Sequence, residues 1–159
     1  MDQILRDVIG KRGEKIVELC LTAYKDFTLP LFSPAHLGDK WPAIDFYVEL
    51  TTNPMARPFF LVQAKSTATE ETESSLKISS TAEDIARLLQ IPAPTYLLGV
   101  HEPTGRVFAR SVHTGVRSNA ITRIPLAYEL TSHNLKVLHD EVLSFWQTGQ
   151  HKPTRSVFL

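Results

Sequence analysis

Two runs of aromatic and β-branched residues decide the fold, Asp45-Phe46-Tyr47-Val48-Glu49-Leu50 and Phe59-Phe60-Leu61-Val62-Gln63-Ala64-Lys65. Such runs, separated by a turn-forming Asn-Pro pair, are typical of a β-hairpin. The first strand begins with a carboxylate and the second ends with Gln-x-Lys. Because side chains alternate along a strand, Gln63 and Lys65 share one face of the predicted sheet. Buried polar groups need partners, so we expect Asp45 on the neighbouring strand to lie close to them.

The composition is that of one globular domain. The chain has 159 residues, 43% of them hydrophobic and 21% charged, which are ordinary values for a single core. We expect one domain over residues 1–150 and a basic, then apolar, tail over 151–159. No apolar run approaches the roughly 18–20 residues of a membrane span, so we expect no membrane partner. A single cysteine, Cys20, and the lack of an apolar signal segment favour the cytoplasm.

The other elements predict a mixed α/β or α+β domain. Residues 2–27 are expected to be helical, with Gly10 and Gly13 dividing them into two helices. Residues 33–41 are expected to form a loop, and residues 113–131 to be irregular. Further strands are expected at 31–32, 76–78, 95–100 and 106–112. Further helices are expected after a capping box at Ser80-Thr81-Ala82-Glu83 and over 134–147.

The polar residues of the hairpin suit phosphodiester cleavage. A bound divalent metal stabilises charge on the phosphorus oxygens and generates a nucleophile from water. Mg²⁺ prefers oxygen ligands, which Asp45, the Gln63 amide and the Ala64 carbonyl supply. Glu14 approaches from the first helix, and Lys65 is placed to orient the water or to steady the developing charge.

Two glutamates compete for the helix position. At about 100° per residue, Glu14 falls at the edge of the apolar face beside Leu21, whereas Glu18 falls nearly opposite and toward solvent. The helix geometry therefore favours Glu14, and Glu18 stays the alternative.

Four motifs in this order resemble those of the PD-(D/E)XK nuclease superfamily, which includes many restriction endonucleases and the archaeal Holliday-junction resolvases. They are Arg12-Gly13-Glu14, Pro42-Ala43-Ile44-Asp45, Val62-Gln63-Ala64-Lys65-Ser66 and the stretch from Ile91 to Val100. The resemblance covers about residues 8–112. It is closest to a small bacterial and phage branch, classed as a domain of unknown function, whose third motif is Gln-x-Lys.

The resemblance implies a restriction-endonuclease-like core, with a central four-stranded mixed sheet flanked by helices. It also implies cleavage of DNA with Mg²⁺, or Mn²⁺ in its place. The implied catalytic residues are Glu14, Asp45, Gln63 and Lys65, and the implied metal ligands are Glu14, Asp45, Gln63 and Ala64. Many members dimerise to cut both strands, so a homodimer is a candidate state, and family habit points to phage defence, mobile elements or repair.

The chain departs from the usual pattern at two places. Gln63 stands where the family has an acidic residue, so a metal site here has one negative charge less. Pro42 stands three residues before Asp45 and not directly before it.

The net charge of zero argues against a surface coated in positive charge but allows a local basic groove. The cations expected to border the site and contact phosphates are Lys11, Arg12, Lys15, Lys77, Arg106 and Arg110. Asp39, on the loop before the hairpin, is a weaker site candidate.

Two other hypotheses compete with the nuclease. The domain keeps the nuclease fold but acts as a non-catalytic module that binds nucleic acid or a protein, in keeping with Gln63 and the neutral charge. Alternatively, this is an unrelated α/β domain in which the pairing of Asp45 with Lys65 is structural. If Asp45 and Lys65 lay on opposite faces of the sheet, the nuclease and the binding-module hypotheses would both be excluded.

Overall fold

A five-stranded mixed sheet forms the centre of the computed structural model, which describes residues 2–52, 57–112 and 119–149. In chain order the elements are α1 (Gln3–Leu21), β1 (Phe32–His36), a 3₁₀ turn (Gly38–Lys40), β2 (Phe46–Leu50), β3 (Phe59–Thr67), β4 (Ser75–Ser80), α2 (Ala82–Leu89), β5 (Thr95–His101), β6 (Arg106–Ser111), β7 (Ile121–Pro125), a 3₁₀ turn (Leu126–Tyr128) and α3 (Ser132–Thr148).

The strand order of the central sheet is β1-β2-β3-β5-β6. Strands β3 and β5 are parallel and are joined through β4 and α2, while the other neighbours in this sheet are antiparallel. Strands β4 and β7 form a separate antiparallel pair. The predicted mixed α/β class is confirmed, but the prediction of four strands in the central sheet is wrong.

The fifth strand is β1, which begins at Phe32 in the short strand predicted at 31–32 and continues through residues 33–36, which were predicted to be a loop. Pro34 lies in this predicted loop, yet it pairs in register with Val48 of β2. Because β1 is an edge strand, a residue without an N–H is tolerated there.

Strand β7 also lies in a stretch predicted to be irregular. Only Ile121 and Ile124 are buried along it, so it lacks the strict alternation that signals a strand. Residues 113–118 of that stretch, the Asn53-Pro54 turn and the tail 151–159 lie outside the described residues.

Helix α1 is continuous, and the prediction of two helices divided at Gly10 and Gly13 is wrong. A Cβ at Gly10 would have nothing within 4 Å, whereas a Cβ at Gly13 would collide with the Ser66 side chain. Gly13 therefore lets α1 lie directly against β3. Among the described helices, none has both the length and the apolar character needed to cross a membrane.

The remaining helices agree with expectation apart from one cap. Helix α2 begins one residue later than the predicted capping box, because the Thr81 hydroxyl accepts the N-capping hydrogen bond from the Asp84 N–H. Helix α3 extends the predicted 134–147 by two residues at its start and one at its end.

The sheet separates two apolar layers. Phe60 and Val62 of β3 pack toward α1 and α3, in the layer that includes Val17. Leu61 packs on the other side, in the layer that contains Ile85 of α2 and Leu76 of β4. Odd-numbered residues of β3 therefore face α2, which places Gln63 and Lys65 on that side.

Candidate functional site

Asp45 lies at the start of β2, where this strand parts from β3. Its backbone N–H donates to the Val62 carbonyl at 2.8 Å, and its carboxylate Oδ2 accepts from the Ala64 N–H at 2.7 Å. The Asp45 side chain thus takes the place of a backbone carbonyl at the end of the ladder of hydrogen bonds between β2 and β3. In the part of the chain that the structure describes, Oδ1 of Asp45 receives no hydrogen bond.

The backbone of Ala64 faces Asp45. Within one strand residue the N–H and C=O point to the same side of the strand. The Ala64 N–H points at Asp45, so the Ala64 carbonyl lies on that same side of β3, toward the segment that precedes β2.

Lys65 lies beside a second carboxylate. Its Nζ is 3.6 Å from Oδ2 of Asp84 in the first turn of α2, and both side chains are partly buried. This pairing holds the ammonium group near the end of β3, in a position where its charge is only partly screened by water.

The pKa of Asp45 shows how these groups act together. Burial raises it, while the hydrogen bond from Ala64 and the positive charges of Lys65 and His36 lower it. Asp84 raises it further, and the net shift is upward. Asp45 therefore lies within electrostatic range of Lys65 and Asp84, and it bonds to the sheet backbone.

Gln63 is 2% exposed, and its amide oxygen accepts a hydrogen bond from the Ser80 hydroxyl at 2.6 Å. Ser80 is the last residue of β4, so this hydrogen bond joins the end of β4 to β3 two residues before Lys65. The role of Gln63 as a catalytic residue and metal ligand stays a prediction.

Glu14 reaches toward this region through His36. Its carboxylate is 3.0 Å from Nε2 of His36, the last residue of β1, whose backbone pairs with Phe46. Glu18 instead lies 3.6 Å from Lys15 on its own helix and is more exposed. The contacts therefore agree with the choice of Glu14 over Glu18.

The oxygen atoms near Asp45 fit a Mg²⁺ or Mn²⁺ ion that keeps most of its waters. Oδ1 of Asp45 receives no hydrogen bond among the described residues, the Ala64 carbonyl lies on the same side of β3 as Asp45, and Mg²⁺ sites commonly use few protein oxygens. Within residues 2–52, 57–112 and 119–149, no three His, Cys, Asp or Glu side chains are grouped to hold a metal. Among the described residues, the oxygen donors near Asp45 therefore form no cage of side chains.

Sequence reasoning missed Asp84, His36 and Ser80. Asp84 is the third residue of α2, and its position after Thr81 marks a helix start but not a neighbour of Lys65. His36 falls within the predicted loop 33–41, whereas in the structure it is the last residue of β1. These contacts depend on how distant elements pack, for which the sequence has no local signal.

Three of the six predicted phosphate-binding cations, Arg12, Lys15 and Arg106, pair with carboxylates of the described residues. Arg106 binds Glu71 at 2.6 Å and Glu129 at 2.8 Å, and its guanidinium lies over the Phe108 ring. Arg12 pairs with Glu102. The other four are Lys15 beside Glu18, Arg110 on the wall of a cavity, and the exposed Lys11 and Lys77.

That cavity, of about 590 Å³, lies between β6 and α3. Its walls include Tyr96, Tyr128 and Leu138, and none of the predicted catalytic residues lines it. It is therefore separate from the Asp45 site.

No family model and no curated protein sequence matches this chain.

Proposed function

We propose that this chain is a metal-dependent nuclease that hydrolyses phosphodiester bonds of DNA, with Asp45 and Lys65 at the centre of the site. The observation that carries the proposal is the hydrogen bond from the Ala64 N–H to Asp45. It fastens the aspartate that precedes β2 to the middle of Gln63-Ala64-Lys65, so the acid lies against the residue next to the lysine. The resemblance to the PD-(D/E)XK superfamily supports the same assignment.

In this proposal, Asp45 and the Ala64 carbonyl hold the ion. A bound Mg²⁺ or Mn²⁺ supplies charge stabilisation and a more acidic water. The hydrogen bond from Ala64 fixes Oδ2 of Asp45, and Oδ1 is the oxygen left to bind the ion. Mg²⁺ binding requires Asp45 to be ionised, so the raised pKa of this group couples binding to pH.

Lys65 stabilises the negative charge that develops on the phosphoryl oxygens. Asp84, 3.6 Å away, keeps the ammonium group in place before substrate arrives. Glu14 and His36 act from the other side of Asp45, where their pairing limits the movement of the Glu14 carboxylate. Glu14 and Gln63 then support the site and complete the proposed set.

The test is cleavage of supercoiled, linear and single-stranded DNA with Mg²⁺, with Mn²⁺ and with a chelator. Lys65→Met keeps most of the aliphatic stem and should lower the rate by at least about 100-fold. Lys136→Met, on α3 in an ion pair with Asp140, is the matched control and should cleave like wild type. Full activity of Lys65→Met would refute the assignment.

A second candidate function is a non-catalytic module that binds nucleic acid or a protein. Two observations favour it, namely the engagement of the Gln63 oxygen by Ser80 and the missing cluster of three acidic or histidine ligands among the described residues. DNA binding that ignores metal and survives Asp45→Asn, without cleavage of any substrate, would support this alternative.

A further inference from the structure

Trp41 is 58% exposed, although a tryptophan side chain is large and mostly apolar. Among the described residues its ring packs against no other aromatic ring, whereas the second tryptophan of the chain, Trp146, packs against Phe59 and donates to its carbonyl. Single exposed apolar side chains are common, so exposure alone assigns no role. The loop that holds Trp41 provides the second observation.

This loop spans residues 37–45 and has a fixed base. The Leu37 N–H donates to the Asp45 carbonyl at 2.9 Å and closes the loop. Leu37 and Ala43 pack against the apolar layer on the α2 side, and Ile44 is buried in it. The tip of the loop, residues 39–42, is exposed and carries Trp41, while the two ends of the loop are fixed to the rest of the domain.

The turn that follows Trp41 is strained. Ala43 has a φ of 64°, in the left-handed region that disfavours residues with a Cβ. The Ile44 N–H donates to the Trp41 carbonyl at 3.3 Å and closes this turn. Strain of this kind persists where the surroundings impose it, and it is concentrated at binding and catalytic sites.

The tip is close to the proposed cleavage site. A turn brings its first and fourth Cα atoms within about 7 Å, and one further residue adds about 3.8 Å, so the Cα atoms of Trp41 and Asp45 are within about 11 Å. The tip carries one cation, Lys40, and one carboxylate, Asp39. Because these charges cancel, the indole ring is the distinguishing feature of the tip.

We infer that Trp41 is a stacking platform for an unpaired nucleobase beside the phosphodiester that is cut. Every base has a π face that stacks on an indole ring, so such a platform accepts unpaired bases with little sequence preference. Bases of an intact duplex are already stacked and are not available. The inference rests on the proposed function and assigns its substrate class, which is DNA with single-stranded nucleotides at the site.

The experiment measures binding in a chelator, where cleavage does not interfere. Trp146→Phe leaves Trp41 as the only tryptophan, and a single-stranded oligothymidine should quench its fluorescence. An abasic oligonucleotide of equal length, which keeps the phosphates but lacks the bases, should quench little. Anisotropy of a labelled oligothymidine on the full chain gives a second readout that does not require the Trp146 change.

In the anisotropy assay, Trp41→Ala should weaken binding by about 5- to 150-fold, and Trp41→Phe should retain most of it. Tyr24→Ala, which removes another exposed aromatic ring, should bind like wild type. The inference is overturned by wild-type affinity of Trp41→Ala, by equal quenching with the abasic strand, or by a Trp41 signal that changes with protein concentration alone, which would assign the ring to a protein contact.

Cleavage separates the inference from the function on which it rests. Base-dependent quenching without any metal-dependent cleavage would refute the nuclease and leave the stacking site in a binding module. Cleavage that requires Asp45 but is equally fast in wild type and Trp41→Ala on single strands would refute the stacking site and leave the nuclease.

Discussion

Replacing Gly13 by alanine tests the contact that places α1, and with it Glu14, against the sheet. A Cβ at position 13 would overlap the Ser66 hydroxyl and lie 2.8 Å from the Ser66 Cβ. Gly10, almost one turn earlier on the same helix, has no atom within 4 Å of such a Cβ. The two glycines therefore offer the same chemical change in two different surroundings.

The two substitutions share the same gain in helix propensity but differ in the cost of packing. Alanine in place of glycine in a helix stabilises by about 0.5–1 kcal/mol, so Gly10→Ala should raise the free energy of unfolding by that amount. Gly13→Ala has the same intrinsic gain, but overpacking costs about 1–3 kcal/mol. Gly13→Ala should therefore be less stable than Gly10→Ala by about 1–3 kcal/mol, or about 2–12 °C in Tm.

Urea unfolding followed by far-UV circular dichroism measures this difference. Adding Ser66→Ala to Gly13→Ala removes the overlapping hydroxyl but leaves the Cβ at 2.8 Å, so the double variant should recover only part of the loss. Equal stability of Gly10→Ala and Gly13→Ala would refute the close packing of α1 on β3.

Three further predictions concern buried groups. Burial raises the pKa of Asp45, so the native state loses stability as the pH rises from below 3.8 through that raised pKa. Asp45→Asn should consequently be more stable than wild type at neutral pH, and urea unfolding should show that this advantage shrinks as the pH falls through that raised pKa and is lost below pH 3.8; a difference independent of pH would contradict it. Burial raises the pKa of the Cys20 thiol to about 12, so a thiol reagent should label the folded protein slowly and the unfolded protein at once, and rapid labelling of the folded protein would be evidence against this packing. Ser80→Ala removes the donor to the buried Gln63 oxygen and should lower the free energy of unfolding in urea by about 1–3 kcal/mol. The exposed control Ser79→Ala should change it by less than about 0.5 kcal/mol. Equal effects of the two substitutions would count against the contact.

Local patterns predicted the elements that are long or regularly alternating. The hairpin strands β2 and β3 were recognisable because both are rich in aromatic and β-branched residues. Strand β1 was predicted only at its first residue, Phe32, because proline is typical of loops and only the place of β1 at the sheet edge makes Pro34 compatible with a strand. The continuity of α1 was missed because the reason for Gly13 lies in Ser66, far along the chain.

The candidate site also has one part that the sequence predicts locally and one part that it does not. The nearness of Asp45 to Gln63 and Lys65 follows from the register of one hairpin, which the sequence determines locally. The contacts of Lys65 with Asp84 and of Glu14 with His36 join elements that are distant in sequence. Such contacts depend on tertiary packing and have no signature in spacing or composition.

The most direct test of the proposed nuclease compares two carboxylate changes on one strand. Asp45→Asn keeps an acceptor for the Ala64 N–H but removes the charge that binds the metal, whereas Glu49→Gln removes a carboxylate that pairs with Arg57 farther along β2. With Mg²⁺ or Mn²⁺, wild type and Glu49→Gln should cleave DNA, the chelator should stop both, and Asp45→Asn should be inactive while folded. Cleavage by Asp45→Asn at the wild-type rate, or none by folded wild type on any DNA, would contradict the account.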